Sequence, residues 1–87
     1  MAYAVALKPA AKRTLYRLPR DTQVRIVAKM DGLSEDPRPP GVEKLAGEEG
    51  FFRVRVGDYR IVYQINDASR VVLVVKIVHR RDVYRGM

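Results

Sequence analysis

The 87 residues contain no cysteine, no tryptophan and a single histidine, His79. Without cysteine there is neither a disulfide framework nor a thiolate metal site, and one imidazole does not build a metal cage, so no metal and no cofactor is expected. Long apolar runs are missing too. Nothing approaches the roughly 18 consecutive apolar residues of a membrane span, and the apolar stretch near the N-terminus is too short for a secretion signal. A cytoplasmic protein with no membrane association is the expectation. Acidic residues are scarce: 10 Asp and Glu stand against 17 Lys and Arg, a net charge of +7. The imbalance is uneven, with nine basic against seven acidic residues in positions 1–50 and eight against three in positions 51–87. An excess of this kind draws nucleic acid or acidic protein.

What is present fits one domain over residues 1–87. A composition 47% hydrophobic and 31% charged is that of a small soluble fold. A chain this short buries a thin core, so a bound partner adds appreciably to its stability.

The pattern along the chain predicts an α+β fold. Tyr3 to Leu7 reads as a short strand, ended by Lys8-Pro9, where proline suits a first helical turn. Ala11, Leu15 and Leu18 recur at helical spacing, with Lys12, Arg13 and Arg17 off that stripe. Pro19 interrupts, and a second helix from about Arg20 to Leu33 follows, with Ile26, Met30 and Leu33 marking its buried side and Val24 and Val27 close by. Gly32 and Ser34-Glu35-Asp36-Pro37 end it. From Asp36 to Gly50 the prolines and glycines predict an irregular surface connection pinned by Val42 and Leu45. The period then changes to two. Phe52, Val54 and Val56 share one face of a strand and Arg53 and Arg55 the other, Gly57-Asp58 makes a tight hairpin, and Tyr59 to Ile65 returns. After a turn at Asn66-Asp67-Ala68-Ser69, Arg70 to Val78 is apolar on both faces except at Lys76, as a central strand is. The expected architecture is a short N-terminal strand, a helical hairpin and a three-stranded antiparallel meander.

The meander gathers cations. Arg53 and Arg55, two apart, project from one side of a strand, and Arg60 returns beside them across the hairpin. Like charges so placed repel unless an anion joins them. Guanidinium forks grip phosphate in two-point fashion, and several around one phosphate stabilise the added charge of a pentacovalent transition state. Lys76, Arg80 and Arg81 extend the cluster, and Tyr84 stands in a polar context suited to stacking on a base. Solvated arginine on a strand face also serves solubility and blocks edge pairing, so the combination carries the reading. Tyr59 and Tyr63 share the face of Ile61 and are expected in the core. His79, by alternation on the face of Ile77 and Val75, reads as a packing or positioning residue first and an acid or base second. Glu43, Glu48 and Glu49 lie in or beside the loop, where one of them supplies a carboxylate base if the loop folds over the site.

Three stretches carry a family resemblance: Lys44-Leu45-Ala46-Gly47, the run Phe52-Arg53-Val54-Arg55-Val56-Gly57-Asp58-Tyr59-Arg60-Ile61-Val62-Tyr63, and Val78-His79-Arg80-Arg81-Asp82-Val83-Tyr84. With the helical hairpin, these resemble the RelE branch of the RelE/ParE toxin superfamily over nearly the whole chain, which implies the small RelE-like microbial ribonuclease fold. The resemblance further implies a type II toxin that enters the ribosomal A site and cleaves translated mRNA by attack of the 2′-hydroxyl on the adjacent phosphate, without a metal, and that is held by a cognate antitoxin. Carried over by position, Arg53 and Arg55 stand at the family's basic pair, Arg60 at its phosphate-binding arginine, Arg80 at a second arginine and Tyr84 at the terminal tyrosine; Lys76, His79 and Arg81 fall beside them as substrate-binding candidates. One departure matters. The best-known relatives carry lysine at the basic pair, and arginine does not give up its proton in a protein. The base then falls to His79, Tyr84, a loop carboxylate or a ribosomal group. Two other readings stand beside this one: a ParE-like inhibitor of DNA gyrase, which the His79-Arg80-Arg81-Asp82 ending also resembles, and a basic binding homologue with weak or no catalysis.

Overall fold

A computed structural model of the chain describes residues 2–45 and 50–83. Along the chain it runs β1 (Ala4–Leu7), α1 (Pro9–Arg17), α2 (Arg20–Glu35), β2 (Glu43–Lys44), β3 (Phe51–Val56), β4 (Tyr59–Asn66), β5 (Val71–His79) and a short α3 (Arg80–Val83). The strands form one five-stranded sheet in the order β1-β5-β4-β3-β2, with β1 parallel to β5 and the other pairs antiparallel. The expected meander is β3–β5, and β5 lies inside the sheet as its two apolar faces require. Two short strands flank the meander. Pairing of β1 with β5 spans the whole helical hairpin, and β2 is only two residues long, too short for any period to show.

Pro9 begins α1 and Pro19 precedes α2, each where a missing N–H costs least. Their buried residues are Ala11 and Leu15, then Ile26, Met30 and Leu33. Val24 and Val27 are instead 57% and 41% exposed, because the stripe 26, 30, 33 turns them outward. The second helix continues past Gly32 to Glu35. There Ser34 Oγ donates to the Tyr3 carbonyl at 2.7 Å and the Ser34 carbonyl accepts the Tyr3 N–H at 2.7 Å, so the helix end is tied to the start of β1.

Both helices cover one face of the sheet, and the core joins them to Val54, Ile61, Tyr63, Val72, Val74 and Ile77. The buried positions on β5 change phase, from Val72 and Val74 to Ile77. A β-bulge causes this: Tyr63 pairs with Val74 but Val62 pairs with Lys76, leaving Val75 as the extra residue. Strict alternation from Val74 would point Lys76 into the core, and the bulge turns it out. It also separates Val75 from Ile77 and His79, with which alternation had grouped it.

At the end of the sheet nearer the β4–β5 turn, Asp67 is clasped by Tyr3 Oη at 2.6 Å and by both terminal nitrogens of Arg38 at 3.2 and 2.9 Å. The hydrogen bonds from Arg38, and next the one from Tyr3, hold its carboxyl at about 2, below the ordinary 3.8. A folded-state value below the unfolded one contributes stability above pH 3.8 that is lost as pH falls through about 2. Solvent screens this exposed cluster, so the effect is modest. Asp67→Asn is therefore expected to flatten the fall in melting temperature across this acid range relative to the parent protein, as thermal melts at stepped pH would show. Parallel curves for the two proteins would remove Asp67 from the account.

Candidate phosphate-binding site

The sheet face away from the helices carries the cations. Across the β3–β4 hairpin, Arg55 pairs directly with Arg60, Arg53 with Val62, and on the far side Val62 pairs with Lys76, so all four long side chains rise from one surface. Two residues, Gly57 and Asp58, close the hairpin, with Gly57 at φ 59°. A side chain there is strained by that φ, and its Cβ would also press on Arg25 Nη2 at 3.1 Å, so that the flexible arginine would have to yield.

Arg55, Arg60, Arg80 and Arg81 line a cavity of about 380 Å³. The first two come from adjacent strands and the others from the turn after β5. That turn is fixed by its backbone: the Arg80 N–H donates to the Asp58 carbonyl at 2.6 Å, bringing the end of β5 onto the hairpin. The Arg81 N–H donates to His79 Nδ1 at 3.3 Å, and the His79 ring stands edge-on to Tyr59, centroids 5.2 Å apart. His79 thus holds the Arg80–Arg81 turn from the helix-covered side and does not line the cavity.

The four arginines differ in what restrains them. Arg55 Nε donates to the Gly57 carbonyl at 3.3 Å. Arg80 Nε lies 3.8 Å from Asp58 Oδ1, both side chains exposed, a loose pair of little energetic weight. Arg60 Nη1 is cut off from solvent and has no hydrogen-bond partner among the described residues. A buried donor left unmade costs about 1–3 kcal/mol, more for a charged group. An anion that enters among the arginines and reaches this nitrogen removes the penalty.

The sequence candidates therefore divide. Arg55, Arg60, Arg80 and Arg81 come together. Arg53 shares their face but lies outside the cavity lining, because its Nε donates to Glu43 Oε1 at 2.9 Å, the residue opposite it on β2. Lys76 is exposed on the same face, again outside the lining. Tyr84 lies outside the described residues, as do Glu48 and Glu49. Sequence reasoning left the place of two acids open. Asp58 was legible only as a turn residue, and Glu43 as a loop residue, yet the first meets Arg80 and the second Arg53. No group of three or more His, Cys, Asp or Glu side chains suited to a metal ion occurs among the described residues, and none of their helices is long and apolar enough to cross a membrane.

Comparison with known proteins agrees with this fold. The family model for the ParE toxin of the type II toxin–antitoxin system parDE matches residues 5–84. The chain is 34% identical over 86 residues to Toxin RelG of Mycobacterium tuberculosis, covering 98% of this chain and 99% of that protein. It is 36% identical over 84 residues to Toxin RelE of the same organism, covering 95% and 87%. Among solved structures, the archaeal RelE-RelB complex from Pyrococcus horikoshii OT3 contains a chain matching with a TM-score of 0.82 at 30% identity, over 92% of this chain and 97% of that one. The RelBE2 toxin-antitoxin complex from Mycobacterium tuberculosis gives 0.80 at 30% identity, over 92% and 100%.

Proposed function

We propose, from the premise that this chain belongs to the ParE toxin family of type II toxin–antitoxin systems and is a RelE-like toxin within it, that it is a ribosome-dependent endoribonuclease. The observation that carries the reading is the cavity in which Arg55, Arg60, Arg80 and Arg81 converge with Arg60 Nη1 unpartnered. In this scheme the phosphate of an mRNA strand in the ribosomal A site enters the cavity. The 2′-oxygen on its 3′-linked ribose gives up its proton to a base and attacks phosphorus, the P–O5′ bond breaks, the departing O5′ takes a proton from solvent, and the products end in a 2′,3′-cyclic phosphate and a 5′-hydroxyl. Charge builds on the non-bridging oxygens as the pentacovalent state forms, and the guanidiniums, already in place, meet it without reorganisation. They take the electrostatic part that a metal ion takes in other phosphoryl transfers. Tyr84 is assigned base stacking, and Lys76 and Arg53 backbone contacts beyond the cleaved linkage.

The base is one of the groups named from the sequence, and Glu43 is the loop carboxylate among them whose place is described. Its carboxylate stands on the same face as the arginines, fixed by Arg53 Nε at 2.9 Å. Arg53 is about 7 Å along the strand from Arg55, and Glu43 stands one strand farther out on β2, outside the cavity lining. Glu43→Gln keeps an oxygen for Arg53 but loses the basicity. From its place beyond the cavity lining we expect kcat for cleavage of ribosome-bound mRNA to stay nearly unchanged; a fall of about 100-fold with KM unaltered would make Glu43 the base.

An antitoxin is the proposed protein partner. The similar solved structures include toxin-antitoxin complexes of RelE with RelB, and an acidic segment that folds on binding suits this basic domain. A second reading comes from the family model itself, whose description is the ParE toxin: inhibition of DNA gyrase through protein contacts. A gyrase supercoiling assay run beside ribosome-primed mRNA cleavage separates the two, since the ribonuclease reading predicts cut mRNA and undisturbed supercoiling.

A further inference from the structure

The cavity holds more positive charge than one internal RNA linkage brings negative. Four guanidiniums line it, and the one carboxylate paired with them among the described residues, Asp58, is 3.8 Å from Arg80 and largely exposed. An internal phosphodiester carries a single negative charge. The arginines also enter as two pairs from separate places in the fold, Arg55 with Arg60 on neighbouring strands and Arg80 with Arg81 after β5. Each pair presents forks enough for one phosphoryl group, and about 380 Å³ exceeds the space one such group fills. Arg60 Nη1 is in addition buried and without a hydrogen-bond partner among the described residues.

We infer that this pocket also binds free diphosphate groups, as in pyrophosphate or a nucleoside di- or triphosphate, and that such ligands compete with RNA for it. The inference rests on the same pocket as the ribonuclease reading but adds a ligand class and a mode of control. Two linked phosphoryl groups place one anion against each arginine pair, which a monophosphate does not do. A nucleotide so held blocks entry of an mRNA phosphate, so the free toxin is restrained by polyphosphate in solution and released when RNA displaces it.

Calorimetric titration of the isolated protein, with no RNA or ribosome present, tests this using inorganic pyrophosphate, orthophosphate, ADP and AMP. Pyrophosphate is expected to bind about tenfold or more tightly than orthophosphate, and ADP likewise relative to AMP. ADP matching pyrophosphate assigns recognition to the diphosphate alone, and ADP binding tighter adds a nucleoside contact. Arg60→Ala and, independently, Arg81→Ala on the exposed side of the pocket are each expected to weaken pyrophosphate about tenfold or more. Equal affinities for pyrophosphate and orthophosphate overturn the inference, as does pyrophosphate binding that neither substitution changes in protein whose melting shows it folded. In cleavage assays pyrophosphate should raise KM and leave kcat unaltered. If pyrophosphate binds but no mRNA is cut, the ribonuclease reading alone fails; if mRNA is cut and pyrophosphate neither binds nor inhibits, this inference alone fails.

Discussion

Arg60→Ala should reduce single-turnover cleavage of ribosome-bound mRNA by about 1000-fold while the protein stays folded. Removing one pre-placed donor from a developing oxyanion costs about 100- to 1000-fold in other enzymes, and Arg60 is expected at the upper end. It stands directly opposite Arg55 and beside the turn that brings Arg80 and Arg81, so its loss opens the middle of the cluster. The fold should tolerate the change. Its Nη1 is a buried polar group unpaired among the described residues, and deleting it also relieves repulsion from Arg55. The expected pattern is thus a large kinetic loss with a melting temperature equal to or above that of the parent protein. Retained cleavage would remove the arginine pocket from the chemistry, and a collapsed melting temperature would show that Arg60 is structural.

The largest stability effect is expected at Tyr63, which is fully buried. Its ring lies 6.0 Å from that of Phe52 and its hydroxyl donates to the Pro37 carbonyl at 2.7 Å, while burial pushes the phenol up to about 12. Tyr63→Ala removes the largest side chain at the centre of the core and leaves that carbonyl without its donor. The cost should be about 3–5 kcal/mol, which for a domain of this size lowers the melting temperature by roughly 15 °C or more. Tyr63→Phe isolates the hydrogen bond and should cost about 1 kcal/mol. Similar costs for the two variants would mean that the hydroxyl, and not the ring, holds this part of the core.

Much of this was readable from residue pattern because local chemistry and burial agree there. The stripe of Ile26, Met30 and Leu33, the hairpin at Gly57-Asp58, the interior place of the last strand and the core positions of Tyr59 and Tyr63 each follow from a period or a turn requirement. What escaped depends on distant partners. The parallel pairing of Ala4–Leu7 with β5 leaves no local signal. The bulge at Val75 had one clue, a lysine on the buried phase of its strand, and strict alternation overrode it. The two helix valines that face solvent show that apolar residues near a stripe need not join it.

At the site, residue types and the shared face were legible, but the division among them was not. Arg53 and Arg55 are equivalent by spacing. Only the cross-strand neighbour Glu43, in a two-residue strand, draws Arg53 aside while Arg55 lines the cavity. His79 reads from the sequence as a packing or positioning residue first, and its bond with the Arg81 N–H and its contact with Tyr59 place it behind the turn. The same contacts give it work as a positioning residue.

The most direct measurement is end-group analysis of an mRNA incubated with programmed ribosomes and the purified protein. The account predicts a cut within the A-site codon that leaves a 2′,3′-cyclic phosphate upstream and a 5′-hydroxyl downstream. Intact mRNA, together with loss of gyrase supercoiling in a parallel reaction, would contradict it.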